Sequence, residues 1–134
     1  MAIVSNICLQ DALNALTEYW KSEFDVTLRF EFVFSCDIAE TPQKFLAGCR
    51  SGIPLVFRDM FELHQEYATL TNGEKAKVPQ FDMYACGVEC DSISKMNKNS
   101  VAGQGCIAKG EGRTGRTGQA FILILKTKRL HHVL

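Results

Sequence analysis

The sequence has no excess of charge in either direction: fifteen Lys and Arg balance fifteen Asp and Glu. No whole-molecule field therefore announces a nucleic-acid or membrane partner, and any such contact has to be local. The six cysteines (Cys8, Cys36, Cys49, Cys86, Cys90 and Cys106) include no C-x-x-C pair and no nearby C-x-x-H. The one close pair, Cys86 and Cys90, is spaced C-x3-C and has no second half. A structural zinc site needs four converging donors, so no metal is expected. The opening "MAIVSNICLQDALNAL" lacks the basic n-region and the apolar length of a signal peptide. No run reaches the roughly 18 apolar residues of a membrane helix. Without an export signal the thiols are expected to be reduced, and the protein intracellular and without a membrane partner. A length of 134 residues suits one domain with a modest core.

What is present is an alternation of strands and helices. Leu9, Leu13, Leu16 and Trp20 recur at helical spacing, with Asn14, Thr17 and Lys21 opposite, which predicts an amphipathic helix. "TLRFEFVF" (27 to 34) alternates through Leu28, Phe30, Phe32 and Phe34 and loses alternation at Val33, as a strand covered on both faces does. "ETPQKFLAGCRSG" follows: Thr41 suits a cap, Pro42 a first helical turn, and Gly52 a stop. "IPLVF" (53 to 57) reads as a second strand, "FELHQEYATL" (61 to 70) as a helix by composition with His64 on its surface, "TNGEKAKVPQ" as a loop, and "FDMYACG" (81 to 87) as a third strand. Glycine and serine collect in residues 88 to 118, and "QAFILILKTKRL" fits a helix or a strand by periodicity. The expected fold is α/β, a three-layer sandwich whose strands at 28 to 34, 53 to 57 and 81 to 86 are parallel and adjacent.

In such a sheet ligands bind beyond the carboxyl ends of the strands. After the first strand comes "SCDI", after the second "RDMFEL", and after the third "GVECDSIS". Asp37, Asp59 and Cys90 are thereby expected around one cleft. Each also has a plainer reading, since either aspartate suits a helix cap and Cys90 suits a buried small residue.

Those three stretches resemble the catalytic domain of DNA cytosine-5 methyltransferases over about residues 24 to 126. "FSCDIAETPQKFL" is similar to the family's second motif, which implies that Asp37 holds the ribose hydroxyls of S-adenosylmethionine and that Ile38 packs against its adenine. "VFRDMFEL" is similar to the third, which implies Asp59 accepting from the adenine amino group with Met60 beside the ring. "DMYACGVECDSISKMN" resembles the fourth, with Asp82 ahead of the strand, Gly87 at the turn by the cofactor, Cys90 as nucleophile, and Glu89, Ser94 and Asn97 about the base. "GEGRTGRTGQAFILIL" looks like the linker and helix that follow, with Arg113 and Arg116 near DNA backbone beside Lys95, Lys98 and Lys109. The resemblance thus implies a Rossmann-like S-adenosylmethionine-dependent fold, DNA as partner, and a nuclear location in a eukaryote. In that chemistry a cysteine thiolate adds to carbon 6 of an extruded cytosine, and carbon 5 then takes the methyl group.

The departures from the pattern are specific. Glu89 stands where the family has proline and Asp91 where it has glutamine, and two carboxylates beside a thiol oppose its ionisation. "MAIVSNICLQ" has no glycine for the glycine-rich first motif, and no glutamate-asparagine-valine stretch follows residue 126. Residues 1 to 134 are accordingly expected to be a partial or degenerate catalytic domain. Two other readings stand beside it. One is a non-catalytic module that keeps the methyltransferase fold. The other is a nucleotide binder using "GEGRTGRT" (110 to 117), which fits G-x-x-x-x-G-K-[ST] except for Arg116 in place of lysine. His131 and His132 read as a solvated tail.

Overall fold

The computed structural model describes residues 2–4, 7–49, 55–87, 94, 98, 106–128 and 132–133. In chain order they form β1 (Ala2–Val4), α1 (Ile7–Phe24), β2 (Glu31–Cys36), α2 (Glu40–Cys49), β3 (Val56–Phe57), a 3-10 turn (Met60–Glu62), β4 (Tyr67–Thr69), β5 (Lys75–Lys77), β6 (Met83–Tyr84), α3 (Cys106–Lys109), α4 (Gly112–Lys128) and β7 (His132–Val133). The protein is mixed α/β. Five strands make one sheet in the order β3-β2-β1-β6-β7, and each neighbouring pair in it is parallel.

The three strands expected from sequence are parallel, but they are not all adjacent. β2 pairs with β3, whereas β1 lies between β2 and β6. Three residues, Ala2 to Val4, are too short a run to show a period, yet they hold the middle of the sheet. The chain leaves β1 toward β2 on one side and returns to β6 on the other. That reversal is the switch point at which parallel sheets open a crevice.

The loss of alternation at Val33 has a structural cause. β1 and β2 pair Ile3 with Phe32 but Val4 with Phe34, so one step on β1 meets two on β2. A slip of this kind turns the following residue to the other face. Phe32 packs with Phe30, Leu9, Leu13 and Met83. Phe34 joins a different cluster with Phe57, Leu63, Ala68, Val78, Phe81, Tyr84 and Ile124. Because neighbouring Met83 and Tyr84 divide between the same two clusters, these are the two faces of the sheet. α1 covers one face through Leu9 and Leu13, and α4, the 3-10 turn and the hairpin of β4 and β5 cover the other. The second half of the α1 stripe departs from expectation: Leu16 and Trp20 are 39% exposed, and Trp20 packs on the exposed ring of Phe24 with centroids 5.0 Å apart.

The helix expected over 61 to 70 is absent. The 3-10 turn begins that stretch, His64 sits in the turn after it, and β4 pairs antiparallel with β5 across what read as a loop. Tertiary contacts override composition here. Thr69 gives both its amide and its hydroxyl to Glu62 Oε2, each at 2.7 Å, and Phe57 bridges Leu70. Hydrogen bonds from Arg58 N–H to Thr69 O and from Thr71 N–H to Val56 O fasten the hairpin to the edge of β3. Glu62 is held below the usual carboxylate range by its bonds to Thr69.

"GEGRTGRT" does not form a phosphate loop. It follows the short helix α3, not a strand, and from Gly112 onward it is the first part of α4. A P-loop leaves a buried strand as an open cradle, so the nucleotide-binding reading of residues 110 to 117 is set aside. "QAFILILKTKRL" is resolved in favour of helix as far as Lys128.

Candidate functional site

The carboxyl ends of β2, β3 and β6 open onto one cavity of about 710 Å³. β2 contributes Cys36, Asp37 and Ile38; the end of β3 and the 3-10 turn contribute Asp59, Met60 and Phe61. β6 contributes Tyr84, Ala85, Cys86 and Gly87, and α4 closes the remaining side with Arg113, Arg116 and Thr117. The volume falls within the usual range of roughly 300–1,000 Å³ for a small-molecule site, and the lining mixes apolar side chains with a few charged ones, as such sites do.

The two aspartates are fixed in the same way. Asp37 Oδ1 accepts from the Ala39 amide at 2.8 Å, and Asp59 Oδ1 accepts from the Phe61 amide at 2.9 Å as the cap of the 3-10 turn. Further bonds lock Asp37: its N–H donates to Phe57 O at 3.2 Å and its carbonyl accepts from Gln43 Nε2 at 2.7 Å. The capping role is therefore real for both. It occupies one oxygen of each carboxylate and leaves the second without a hydrogen-bond partner among the described residues. A carboxylate held rigidly by its own backbone, with an oxygen in reserve at a cavity, is suited to accept from a hydroxyl or an amino group.

Between them lies a protonated floor. Cys36 and Cys86 are free thiols, both packed against the large aromatic core. Burial pushes the Cys36 thiol up to about 12, and Asp59, Asp37, Cys86 and Glu62 add to the shift. Burial also raises Cys86, against a hydrogen bond from Tyr84 that favours its thiolate. The Tyr84 hydroxyl is raised in turn, by burial first and then by the two cysteines. A protonated thiol is a weak nucleophile, so this floor is chemically quiet at neutral pH.

No protein-family model matches the chain. Over 107 residues it is 35% identical to a DNA (cytosine-5-)-methyltransferase of Cryptococcus neoformans, a match that takes in 78% of this chain and 4% of that relative. The chain is a distant relative of that methyltransferase. It spans about 4% of the length of the curated relative it matches.

The residues expected at the site fall into three groups: in the cavity, away from it, and outside the described residues. Asp37, Ile38, Asp59, Met60 and Gly87, expected at the cofactor, line the one cavity, and so do Arg113 and Arg116, expected at DNA. Ile38 is 69% exposed and stands at the cavity's outer side. Ser94 is half-buried and is not part of the cavity lining. Cys90, Glu89 and Asn97 lie outside the described residues. Cys36, Phe61, Tyr84, Cys86 and Thr117 line the cavity without having been singled out. Cys36 and Cys86 did carry a signal: each directly precedes a residue that was chosen, Asp37 or Gly87. Among the described residues, no group of three or more His, Cys, Asp or Glu is placed to hold a metal ion, and no helix is long and apolar enough to cross a membrane.

Proposed function

We propose that this chain is the cofactor-binding and nucleophile-bearing part of a DNA cytosine-5 methyltransferase, and that its parallel sheet is the Rossmann-like core of that fold. The carrying observation is the convergence of Asp37, Asp59 and Gly87, from three different strand ends, on one cavity. The residues present fit S-adenosylmethionine: Asp37 accepts from the ribose hydroxyls, Asp59 accepts from the adenine amino group, and Met60 and Ile38 pack against the ring. Among the described residues, its chain neighbours aside, none has an atom within 4 Å of where a Cβ on Gly87 would stand, which is compatible with a ligand beside the turn. When bound, the cofactor supplies an electrophilic methyl group.

Cys90 is the proposed nucleophile for carbon 6 of the cytosine, which makes carbon 5 electron-rich enough to accept that methyl group. Gly87 stands three residues before Cys90 in the chain, a separation that extended backbone covers in at most roughly 11 Å. Glu89, Ser94 and Asn97 are assigned to the surroundings of the extruded base, DNA is the macromolecular substrate, and the nucleus is the place of action in a eukaryote.

Two measurements test the two halves. Calorimetry with S-adenosylhomocysteine should show binding weaker than about 1 μM, since no glycine follows β1 to admit the amino-acid end of the ligand. Asp59→Asn should weaken it a further ten- to hundredfold, roughly the worth of a hydrogen bond to a charged group. No heat from the unmodified chain would remove the cofactor reading. DNA carrying 5-fluorocytosine, with S-adenosylmethionine, should give these 134 residues alone no stable adduct, because they contain no glutamate-asparagine-valine stretch. The acid assistance that such a stretch supplies is typically worth about 10²–10⁴-fold. An adduct that disappears in Cys90→Ser would instead show a complete enzyme. The flanking Glu89 and Asp91 favour the second reading, a methyltransferase-fold module without catalysis. Absence of an adduct even when the missing acid is supplied in a longer chain would select it.

A further inference from the structure

The cavity has two unlike walls. Asp37 and Asp59 stand at the ends of β2 and β3, and Arg113 and Arg116 stand on the first turns of α4, the only cationic residues in the lining among the described residues. Spaced i and i+3, the two arginines share one face of the helix. They flank Thr114 and Gly115, which are buried, and this fixes which face that is. α4 is held along its length: Phe121 stacks on Tyr84 at 5.7 Å, Ile124 enters the aromatic core, and Lys128 Nζ donates to Gln65 O at 3.0 Å. Its first turns are held separately. Gln119 Nε2 donates to Ile107 O at 2.6 Å and to Ala108 O at 3.1 Å, folding α3 back across α4. Gly118 lets them touch, because a Cβ there would sit 2.9 Å from Ile107 Cγ2. The arginines are thus mounted on a positioned helix, not on an open loop.

We infer that Arg116, together with Arg113, takes the carboxylate of the ligand's amino-acid end, and not a DNA phosphate. The inference rests on the S-adenosylmethionine reading of the cavity. An anionic group is repelled from the wall that carries Asp37 and Asp59, and attracted to the opposite one. The nucleoside occupies the ends of β3 and β2. With neighbouring strands about 4.8 Å apart, the ends of β3 and β6 are roughly 14 Å apart, which is the reach of a nucleoside extended by an amino-acid chain. Such a ligand brings its carboxylate to the α4 side of β6. No glycine in the six residues after β1, "SNICLQ", offers the close backbone approach that could cradle the carboxylate instead. Guanidinium groups match a carboxylate's geometry and supply what that backbone does not.

The test is calorimetry on the full chain with two probes that differ only at that end. S-adenosylhomocysteine carries the carboxylate, while methylthioadenosine keeps the nucleoside and the thioether and lacks the amino acid. Arg116→Gln should weaken S-adenosylhomocysteine about tenfold or more and leave methylthioadenosine unchanged, with Arg116→Lys in between. Both arginines are exposed, so far-UV circular dichroism should report an unaltered fold. If Arg116→Gln and the Arg113→Gln/Arg116→Gln pair leave both probes unchanged while affinity for duplex DNA falls, the arginines serve phosphate and the inference is overturned. Equal weakening of the two probes overturns it as well, since the effect would not belong to the carboxylate. If neither probe binds the unmodified chain, the cofactor reading fails and this inference fails with it.

Discussion

Replacing Phe34 by alanine should lower the unfolding free energy by roughly 3–5 kcal/mol, the range for truncating a fully buried aromatic ring. Phe34 has no exposed surface and meets two other rings edge-on, Phe57 at 5.2 Å and Phe81 at 5.3 Å. Edge-to-face pairs add about 0.5–1.5 kcal/mol each beyond the area they bury. The position leaves little scope for collapse. Phe34 follows the register slip on β2, so the backbone that would have to move is paired with β1 on one side and β3 on the other. A domain of this size has only about 5–15 kcal/mol in total, so the variant is expected near the limit of folding at 37 °C. Urea unfolding should show a lower midpoint at an unchanged slope. A loss below about 1 kcal/mol would mean that the three rings do not form the core described.

How far the sequence foretold this arrangement depends on the kind of signal. β2 was legible because Phe30, Phe32 and Phe34 alternate, and even its irregularity at Val33 corresponds to a real slip against β1. β1 was not legible: three residues set no period, and their place at the middle of the sheet comes from pairing with β2 and β6. The stretch 61 to 70 was misread because Glu62, Leu63, Gln65 and Glu66 suit a helix. The fold decides otherwise by pairing Thr69 with Lys75 and tying Thr69 to Glu62. At the site, Asp37 and Asp59 stood out as carboxylates immediately past strand ends. Tyr84, Cys36 and Cys86 look like ordinary strand residues. Arg113 and Arg116 drew notice for their charge, but only the path of α4 brings them to the same cavity as the aspartates.

The cysteine floor of that cavity gives the chain an alkaline weakness that can be measured. In the folded protein Cys36 keeps its proton up to about pH 12, whereas an unfolded thiol loses it near 8.5. Between those values the unfolded chain binds fewer protons than the native one, so stability must fall as pH rises. The contribution is fully present below the unfolded pKa and is lost through the folded one. One proton corresponds to about 1.4 kcal/mol per pH unit, so roughly 3–4 kcal/mol should disappear between pH 9 and 12. Cys86 and Tyr84 are raised as well and act with the same sign. Cys36→Ser removes one titrating group and should flatten the slope of unfolding free energy against pH by about one proton's worth. Urea unfolding under reductant at a series of pH values from 8 to 11, on both proteins, reads this directly. Parallel slopes for the two would mean that Cys36 is not confined between Asp37, Asp59 and the aromatic core. A flatter slope in Cys36→Ser would show the thiol held protonated at neutral pH. In that state Cys36 is a weak nucleophile.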